Sequence, residues 1–167
     1  MILDAGPNPA HLKLAELERA GKLSAVVTQN NDGLHQAAGS RQVYELHGSI
    51  LRNYCMDCHT FYDAEYVKNA EGIPRCEKCG GMIKPDVVLY EEGLDPATIS
   101  GAVRAISEAD MLIIGGTSLV VYPAAGFIDY FHGKYLVLIN KSETARDVRA
   151  NLAIAAPIGS VMEKIRV

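Results

Sequence analysis

Four short apolar runs along the chain each end in polar or glycine-rich residues. Residues 24–28, 43–46, 111–114 and 135–139 have the length and the continuous apolar character of buried strands. The residues that follow them are Gln29, Asn30, Asn31 and Asp32; His47; Gly115, Gly116, Thr117 and Ser118; and Asn140. Open α/β sheets bind ligands beyond the carboxyl ends of their strands, where loops carry polar groups into a crevice. The pattern therefore predicts that these four strand tips form one binding site.

Segments with helical spacing lie between the predicted strands. The first starts at Asn8 and Pro9, which are typical of an N-cap and a first helical position, and it ends at Gly21. Further helices are predicted from Asp95 and Pro96, from Pro123 to Gly133, and over residues 32–38 and 158–165. Residues 85–90 and, more weakly, 152–155 are predicted as additional strands. Strands that alternate with helices predict an α/β fold with a doubly wound parallel sheet.

Four cysteines lie in two pairs near the middle of the chain. Cys55 with Cys58 and Cys76 with Cys79 follow the pattern C-x2-C, with seventeen residues between the pairs. This spacing is typical of a tetrahedral zinc site, and the alternatives are two disulfides or four unrelated thiols. A cytosolic context disfavours disulfides. Because four thiolates leave no open coordination position, the zinc is predicted to be structural.

The segment that contains the cysteines differs in composition from the rest of the chain. Residues 48–86 lack a long hydrophobic period, which predicts a small zinc-ribbon module inserted into a Rossmann-like domain of residues 1–47 and 87–167. A zinc ribbon can also bind nucleic acid, which requires a basic face. The module has five basic residues (Arg52, Lys68, Arg75, Lys78, Lys84) and six acidic ones (Asp57, Asp63, Glu65, Glu71, Glu77, Asp86). We therefore expect no direct nucleic-acid binding.

Overall charge and hydropathy point in the same direction. The formal net charge is −4, which offers no attraction for nucleic acid or an anionic membrane. No apolar run approaches the roughly 18 residues that a membrane span needs. The first residues lack the basic start and the apolar core of a signal peptide. We expect a soluble, cytoplasmic protein with no membrane partner.

Individual residues at the strand tips have two interpretations each. His47 alone is most often a structural histidine, but its place at a strand end, beside Gly48 and before an insertion, makes it a candidate general base. Asp32 alone is typical of a helix N-cap, and the alternative is a carboxylate in the crevice. The glycines before Thr117 are either ordinary turn residues or a loop that a nucleotide can approach closely.

Several motifs of the chain together resemble one known family. They are Thr28-Gln-Asn-Asn-Asp-Gly-Leu-His35, Glu45-Leu-His-Gly48, the four cysteines, Pro85-Asp-Val-Val88, Gly116-Thr-Ser-Leu119 and Asn140. Their types and order resemble the sirtuins, a family of NAD-dependent protein-lysine deacylases, from about Pro7 to the C-terminus. The resemblance implies NAD, a structural zinc ion, and an acyl-lysine protein or peptide as the substrate. It also implies the release of nicotinamide and O-acyl-ADP-ribose.

The resemblance further implies a role for each matching residue. It makes His47 the base that deprotonates the cofactor ribose after the acyl oxygen of the modified lysine has displaced nicotinamide, with Asn30 as a second catalytic residue. The implied cofactor contacts are Gln29, Asn30, Asn31, Asp32, Gly116, Thr117, Ser118, Asn140 and Ile158. The implied substrate contacts are Val88, Leu89, Tyr90 and Glu91 on one segment and Val120, Val121 and Tyr122 on another. A peptide would insert between these segments as a strand.

The chain departs from the family pattern in three places. Asn31 replaces a usual isoleucine, and Tyr90-Glu91-Glu92 replaces a usual Phe-Gly-Glu. The glycine-rich opening motif, the first strand and the flexible cofactor loop of the family have no counterpart in the sequence. We therefore expect a partial Rossmann-like fold with greatly weakened NAD binding and little turnover. The alternative hypothesis is a non-catalytic, zinc-containing module that binds peptides without NAD.

Overall fold

A computed structural model describes residues 4–122, 124–142 and 149–167. The α-helices are α1 (Pro9–Arg19), α2 (Leu34–Ala37), α3 (Ala64–Asn69), α4 (Pro96–Ser107) and α5 (Ile158–Met162), and a 3-10 helix covers Ala124–Tyr130. The strands are β1 (Val26–Thr28), β2 (Val43–Glu45), β3 (Gly48–Cys55), β4 (Phe61–Asp63), β5 (Ile83–Val87), β6 (Met111–Gly115), β7 (Tyr135–Asn140) and β8 (Leu152–Ala155).

The predicted α/β fold with parallel strands is confirmed. Strands β1 and β2 pair in parallel, and β6, β7 and β8 form a second parallel sheet in that order. Because successive side chains of a strand point to opposite faces, Leu112 and Ile113 of β6 face different helices. Leu112 packs with α4 and the 3-10 helix, whereas Ile113 packs with α1 and α5. Helices therefore cover both faces of this sheet.

Residues at the helix ends explain why α1 and α4 begin where they do. The side chain of Asn8 accepts hydrogen bonds from the backbone of Ala10 and His11, and His11 Nδ1 accepts one from the backbone N–H of Asn8. Asp95 likewise accepts from the backbone of Thr98 at 2.7 Å. These side chains satisfy amide groups that have no partner within the first turn of a helix.

The cysteine segment forms its own antiparallel sheet, with strand order β4-β3-β5. Strand β5 corrects the prediction that residues 85–90 rejoin the parallel sheet, because it pairs with β3 instead. Pro85 is compatible with this position since β5 lies at a sheet edge, where a missing N–H is tolerated. Strands β3 and β4 and helix α3 were not predicted, because no clear period of two or 3.6 marks them.

Three predicted helices differ from the observed ones. Helix α2 is shorter than residues 32–38 because Gly33 adopts a left-handed conformation with φ of 70°. Helix α5 ends at Met162 rather than near residue 165. The third predicted helix is a 3-10 helix over Ala124–Tyr130, and its predicted start at Pro123 lies outside the described residues.

No helix in the described ranges is long and apolar enough to cross a membrane.

Candidate functional site

The four cysteines converge on one point of the antiparallel sheet. Their sulfur atoms all lie within 4.8 Å of one another. Cys55 and Cys79 have Sγ atoms 3.4 Å apart, and Cys58 and Cys76 have Sγ atoms 3.5 Å apart. These separations are too long for a disulfide, whose sulfurs lie about 2.05 Å apart. Four free thiols in this arrangement are positioned to bind a metal ion, and thiolates are the ligands that zinc prefers in structural sites.

A buried tyrosine forms a hydrogen bond to the cysteine cluster. The buried hydroxyl of Tyr62 donates a hydrogen bond to Cys76 Sγ at 3.1 Å, and it accepts one from the backbone N–H of Glu77 at 2.9 Å. The hydrogen bond from Tyr62 lowers the pKa of Cys76 to about 6. A thiolate is therefore favoured at the atom that would ligate the metal. Tyr62 is not among the predicted site residues, since only its place between the cysteine pairs could have indicated it.

His47 lies between a parallel and an antiparallel sheet, two residues after the end of β2 and directly before β3. Gly48 makes this connection possible: its φ is 74°, and a Cβ atom there would collide with the backbone oxygen of Asp86. His47 is half-buried, and its Nδ1 lies 3.0 Å from the carbonyl oxygen of Gln29. Because a carbonyl oxygen only accepts, Nδ1 carries the proton and Nε2 keeps its lone pair. The contact thus holds the ring in the tautomer that a general base needs.

A chain of hydrogen bonds links three of the strand tips. Thr117 Oγ1 lies 3.4 Å from Gln29 Oε1, and Thr117 also donates its backbone N–H to Asn140 Oδ1 at 3.1 Å. Gln29 follows β1, Thr117 follows β6 and Asn140 ends β7. Together with the contact between His47 and Gln29, these bonds bring all four predicted tips into one connected group.

The loop after β1 is shaped by its own side chains. Asn30 Nδ2 lies 3.3 Å from Asp32 Oδ2, and the other oxygen of Asp32 accepts the backbone N–H of Leu34 at 3.0 Å. The N-cap of α2 is Gly33 rather than Asp32, and Asp32 binds the first amide of the helix from one residue before the cap. A role of the Asp32 carboxylate in the crevice stays a prediction. Asn31 uses its carbonyl oxygen to accept the backbone N–H of Ile50 at 2.9 Å.

Two histidines pack beside this loop. The rings of His11 and His35 meet edge to face, with centroids 4.6 Å apart. Burial, together with a smaller contribution from the neighbouring His11, lowers the pKa of His35 to about 4, while Asp32 opposes the shift. His35 is therefore neutral at neutral pH. His11 lies in the N-terminal turn of α1 and His35 lies in α2, so the two rings pack between these helices.

A cavity of about 920 Å³ opens at the carboxyl ends of β6 and β7. Its walls include Gly116, Thr117, Ser118, Asn140 and Ile158, all of which were predicted as cofactor contacts. Other lining residues that were not predicted include Asn8, Pro9, Pro157, Gly159, Ser160 and Glu163. This volume lies within the usual range for small-molecule and cofactor sites.

Two features of the cavity wall fit a nucleotide. Asn140 Nδ2 is buried without a hydrogen-bond partner in the described residues, although buried polar groups are usually paired. Gly116 has a φ of 67°, and the space that a Cβ would occupy is open. A ligand with hydroxyl oxygens could therefore accept from Asn140 and approach the backbone at Gly116.

The predicted substrate segments both begin at this site. The backbone N–H of Val88 donates to the carbonyl oxygen of His47 at 3.1 Å, and Val120 lines the cavity. Beyond these residues the side chains are open to solvent: Leu89, Tyr90, Val121 and Tyr122 are all exposed. Glu91 adopts a φ of 71°, which is unusual for a residue with a side chain. This conformation explains why glycine suits the middle position of the usual Phe-Gly-Glu pattern, which Glu91 occupies in this chain.

The chain thus combines parallel sheets, a nucleotide-sized cavity at their strand ends and a four-cysteine module. A family model described as Sir2 family matches residues 1–123. The NAD-dependent protein deacetylase of Clostridium perfringens is 65% identical over 95% of this chain, and that of Clostridium acetobutylicum is 65% identical over 97%. In each case the match covers 66% of the relative, so the chain spans just under two thirds of their length.

Solved structures give the same result. A structure of Sir2 with a p53 peptide and NAD+ has a TM-score of 0.90 and 38% identity, covering 98% of this chain and 70% of that one. A structure of Sir2 bound to acetylated peptide has a TM-score of 0.90 and 37% identity, covering 98% and 71%. The chain belongs to the Sir2 family, and the family predicted from its motifs is confirmed.

Proposed function

We propose that this chain provides the catalytic histidine, most of the NAD contacts and the zinc module of an NAD-dependent protein-lysine deacylase. The reaction consumes NAD, an acyl-lysine side chain and one water molecule, and it yields nicotinamide, O-acyl-ADP-ribose and free lysine. The observation that carries the proposal is the hydrogen-bonded group of His47, Gln29, Thr117 and Asn140 beside a nucleotide-sized cavity. The names of the curated relatives support the same activity.

His47 is the proposed general base. Its Nδ1 is held by the carbonyl oxygen of Gln29, which leaves Nε2 to accept a proton from a ribose hydroxyl. The main chain on both sides of the ring is also fixed. Leu46 donates its backbone N–H to Thr28, and the carbonyl oxygen of His47 accepts from Val88. A positioned base of this kind typically contributes about 100- to 10,000-fold to a rate.

The remaining site residues have supporting roles. The open backbone at Gly116, the hydroxyls of Thr117 and Ser118, and Asn140 Nδ2 would bind the adenosine half of NAD, with Ile158 against the base. Asn140 Nδ2 has no hydrogen-bond partner among the described residues. Asn30, as the second catalytic residue, together with Asn31 and Asp32 would contact the nicotinamide half from the loop beside His47. Val88, Leu89, Tyr90 and Glu91 would pair with one edge of the substrate peptide, and Val120, Val121 and Tyr122 with the other.

The zinc module is proposed as a structural part of the same enzyme. Cys55, Cys58, Cys76 and Cys79 would all ligate one zinc ion, which leaves no position for substrate. We also retain the division into a Rossmann-like part of residues 1–47 and 87–167 and a module of residues 48–86. A cytoplasmic location stays a prediction.

The proposal is tested by measuring nicotinamide release from NAD in the presence of an acetyl-lysine peptide. Two proteins are assayed. The first is the chain alone, and the second is the chain joined to the part of the Clostridium perfringens relative that lies outside the match. We expect low release from the chain alone and clear release from the joined protein. His47→Ala should reduce release at least about 100-fold, because it removes the base. His132→Ala is the matched control, since that exposed histidine lies outside the site.

Two outcomes would contradict the proposal. The first is an inactive joined protein with every acyl-lysine peptide tested. The second is release that His47→Ala and His132→Ala affect equally. Calorimetric binding of peptide without NAD, combined with no release, would instead support the non-catalytic peptide-binding module.

A further inference from the structure

Strand β3 of the zinc module contains an irregularity close to the candidate site. Its pairing with β5 moves from Ser49 opposite Asp86 directly to Asn53 opposite Pro85. Residues 50–52 therefore have no partners on β5, and they form a bulge. Bulges often occur next to active sites, where they redirect side chains. Ser49 and Asn53 at its two ends are both buried, and Asn53 Nδ2 donates to the carbonyl oxygen of Ile50 at 3.3 Å.

The bulge contacts the loop that follows β1. The backbone N–H of Ile50 donates to the carbonyl oxygen of Asn31 at 2.9 Å. The side chain of Leu51 lies against Gly33, where a Cβ atom would collide with it. The first strand of the zinc module is thus attached to the loop that carries Asn30 and Asp32.

Arg52, the last residue of the bulge, joins three strands. Its Nη1 lies 2.8 Å from Glu45 Oε2 on β2, and its Nε lies 2.9 Å from Asp86 Oδ2 on β5. The side chain of Glu45 is only 8% exposed, so its charge is largely removed from water. A buried carboxylate is stable when it is paired, and removing its partner is far more costly than removing an exposed one. Glu45 lies two residues before His47, and Asp86 lies two residues before Val88.

We propose that Arg52 is a positioning residue that holds His47 and the loop of Asn31 in their relative places, an inference that rests on the proposed function. The backbone N–H of Val88 binds the carbonyl oxygen of His47, and Glu45 lies two residues before His47. The guanidinium of Arg52 binds Glu45 and Asp86, and so it fixes both chain segments that meet at this bond. The bulge that contains Arg52 also binds Asn31. The zinc module then contacts the site through the ion pairs of Arg52 as well as through the backbone bond between Ile50 and Asn31. Arginine suits this role because its planar head can bond two carboxylates at once.

The test compares Arg52→Met, Arg52→Lys and Lys68→Met in the zinc-loaded protein. Lys68 is the matched control, because it is a basic residue of the same module whose ion pair with Asp4, at 3.7 Å, is exposed. Amide hydrogen exchange is followed at Ile50 and Val88, whose N–H groups bond Asn31 and His47. Loss of a buried partner should speed exchange at both amides at least about tenfold in Arg52→Met. Lysine can satisfy one carboxylate only, so Arg52→Lys should lie between the other two.

The second readout is the rate of nicotinamide release, measured with whichever protein, the chain alone or the joined protein, is active. Small displacements of a catalytic group can cost up to about 100-fold in rate, so kcat should fall at least about tenfold in Arg52→Met. KM for the peptide should change less than about twofold, because no peptide contact is lost. Partial recovery of kcat in Arg52→Lys would support positioning through the ion pairs.

The possible results separate this inference from the proposed function. Equal exchange at Ile50 and Val88 in Arg52→Met and Lys68→Met would overturn it, as would faster exchange with unchanged kcat. Arg52→Met could lose zinc or show faster amide exchange throughout the chain. In that case Arg52→Lys is compared with Lys68→Met instead, by the same measurements of exchange at Ile50 and Val88 and of kcat. A parent protein that releases no nicotinamide would contradict the proposed function, while exchange alone would still decide whether Arg52 orders the turn.

Discussion

The cysteine cluster and the site at the strand tips are built in opposite ways. The four sulfurs come from one short segment and lie within 4.8 Å of one another, with Tyr62 bonded to one of them. The strand-tip site is assembled from three strands of the two parallel sheets and the turn that carries His47, and its contact between Gln29 and Thr117 is 3.4 Å long. One of its buried groups, Asn140 Nδ2, has no partner in the described part of the chain. A metal centre can thus be encoded locally, whereas a ligand crevice keeps groups that only a ligand satisfies.

The largest effect should follow from breaking the local centre. Cys55→Ala removes a buried ligand, and structural zinc contributes on the order of 10 kcal/mol to folding in small zinc domains. We expect loss of the bound zinc and fast amide exchange throughout β3, β4 and β5, while β6 and β7 stay protected. Metal analysis and exchange mass spectrometry measure both effects. Met56→Ala, which changes the exposed neighbour, should keep one zinc per chain; a zinc-loaded Cys55→Ala would contradict the prediction.

The next effect concerns the unpaired amide of the assembled site. Asn140→Ala removes both the free Nδ2 donor and the acceptor for Thr117, so ADP-ribose should bind at least about tenfold more weakly. Titration calorimetry measures this change. Asn69→Ala replaces an exposed asparagine of the zinc module and serves as the control. Equal affinity in both variants would show that Asn140 Nδ2 does not face the ligand.

A pH change should separate the two regions further. The folded pKa of His35 is about 4, below the unfolded value near 6.5, so the unfolded chain binds more protons between these values. Stability should therefore fall as pH decreases from 6.5 toward 4, by roughly 1–2 kcal/mol after allowance for solvent screening of a half-buried ring. His35→Gln should show a smaller loss than the parent in urea unfolding at pH 7 and pH 5. Zinc release at low pH affects both proteins alike, so identical losses would contradict this role of His35.

The smallest effect compares two residues with left-handed backbones, one in each region. Glu91 has a φ of 71° in the proposed substrate segment, and His59 has a φ of 56° in the turn after Cys58. Glycine relieves a strain of about 1–2 kcal/mol at such positions, but it adds about 0.4–1 kcal/mol of unfolded-state entropy. Glu91→Gly and His59→Gly should each raise the free energy of unfolding by less than about 1 kcal/mol. A loss of stability in Glu91→Gly would show that its side chain makes favourable contacts.

Features that depend on neighbouring residues were predictable from the sequence. The spacing of Cys55, Cys58, Cys76 and Cys79 sets two tight turns, so the cluster followed from local geometry. The cap at Asn8 and the apolar runs of β1, β6 and β7 were equally local. The antiparallel pairing of β5 was missed because the apolar run that predicted the strand, Val87-Val88-Leu89, lies mostly beyond β5, which ends at Val87. Tyr62 and Arg52 were missed because a single tyrosine or arginine has no periodicity.

The amino-acid sequence by itself determined the family, the order of strands and helices outside the zinc module, and the identity of the groups at the strand tips. Only the tertiary structure decided which nitrogen of His47 is free, that Gln29 and Thr117 meet, and that Arg52 joins Glu45 to Asp86. The reason is physical. Backbone geometry sets the relation of residues within one turn or strand, whereas these contacts join residues 7 to 88 positions apart and depend on how whole elements pack.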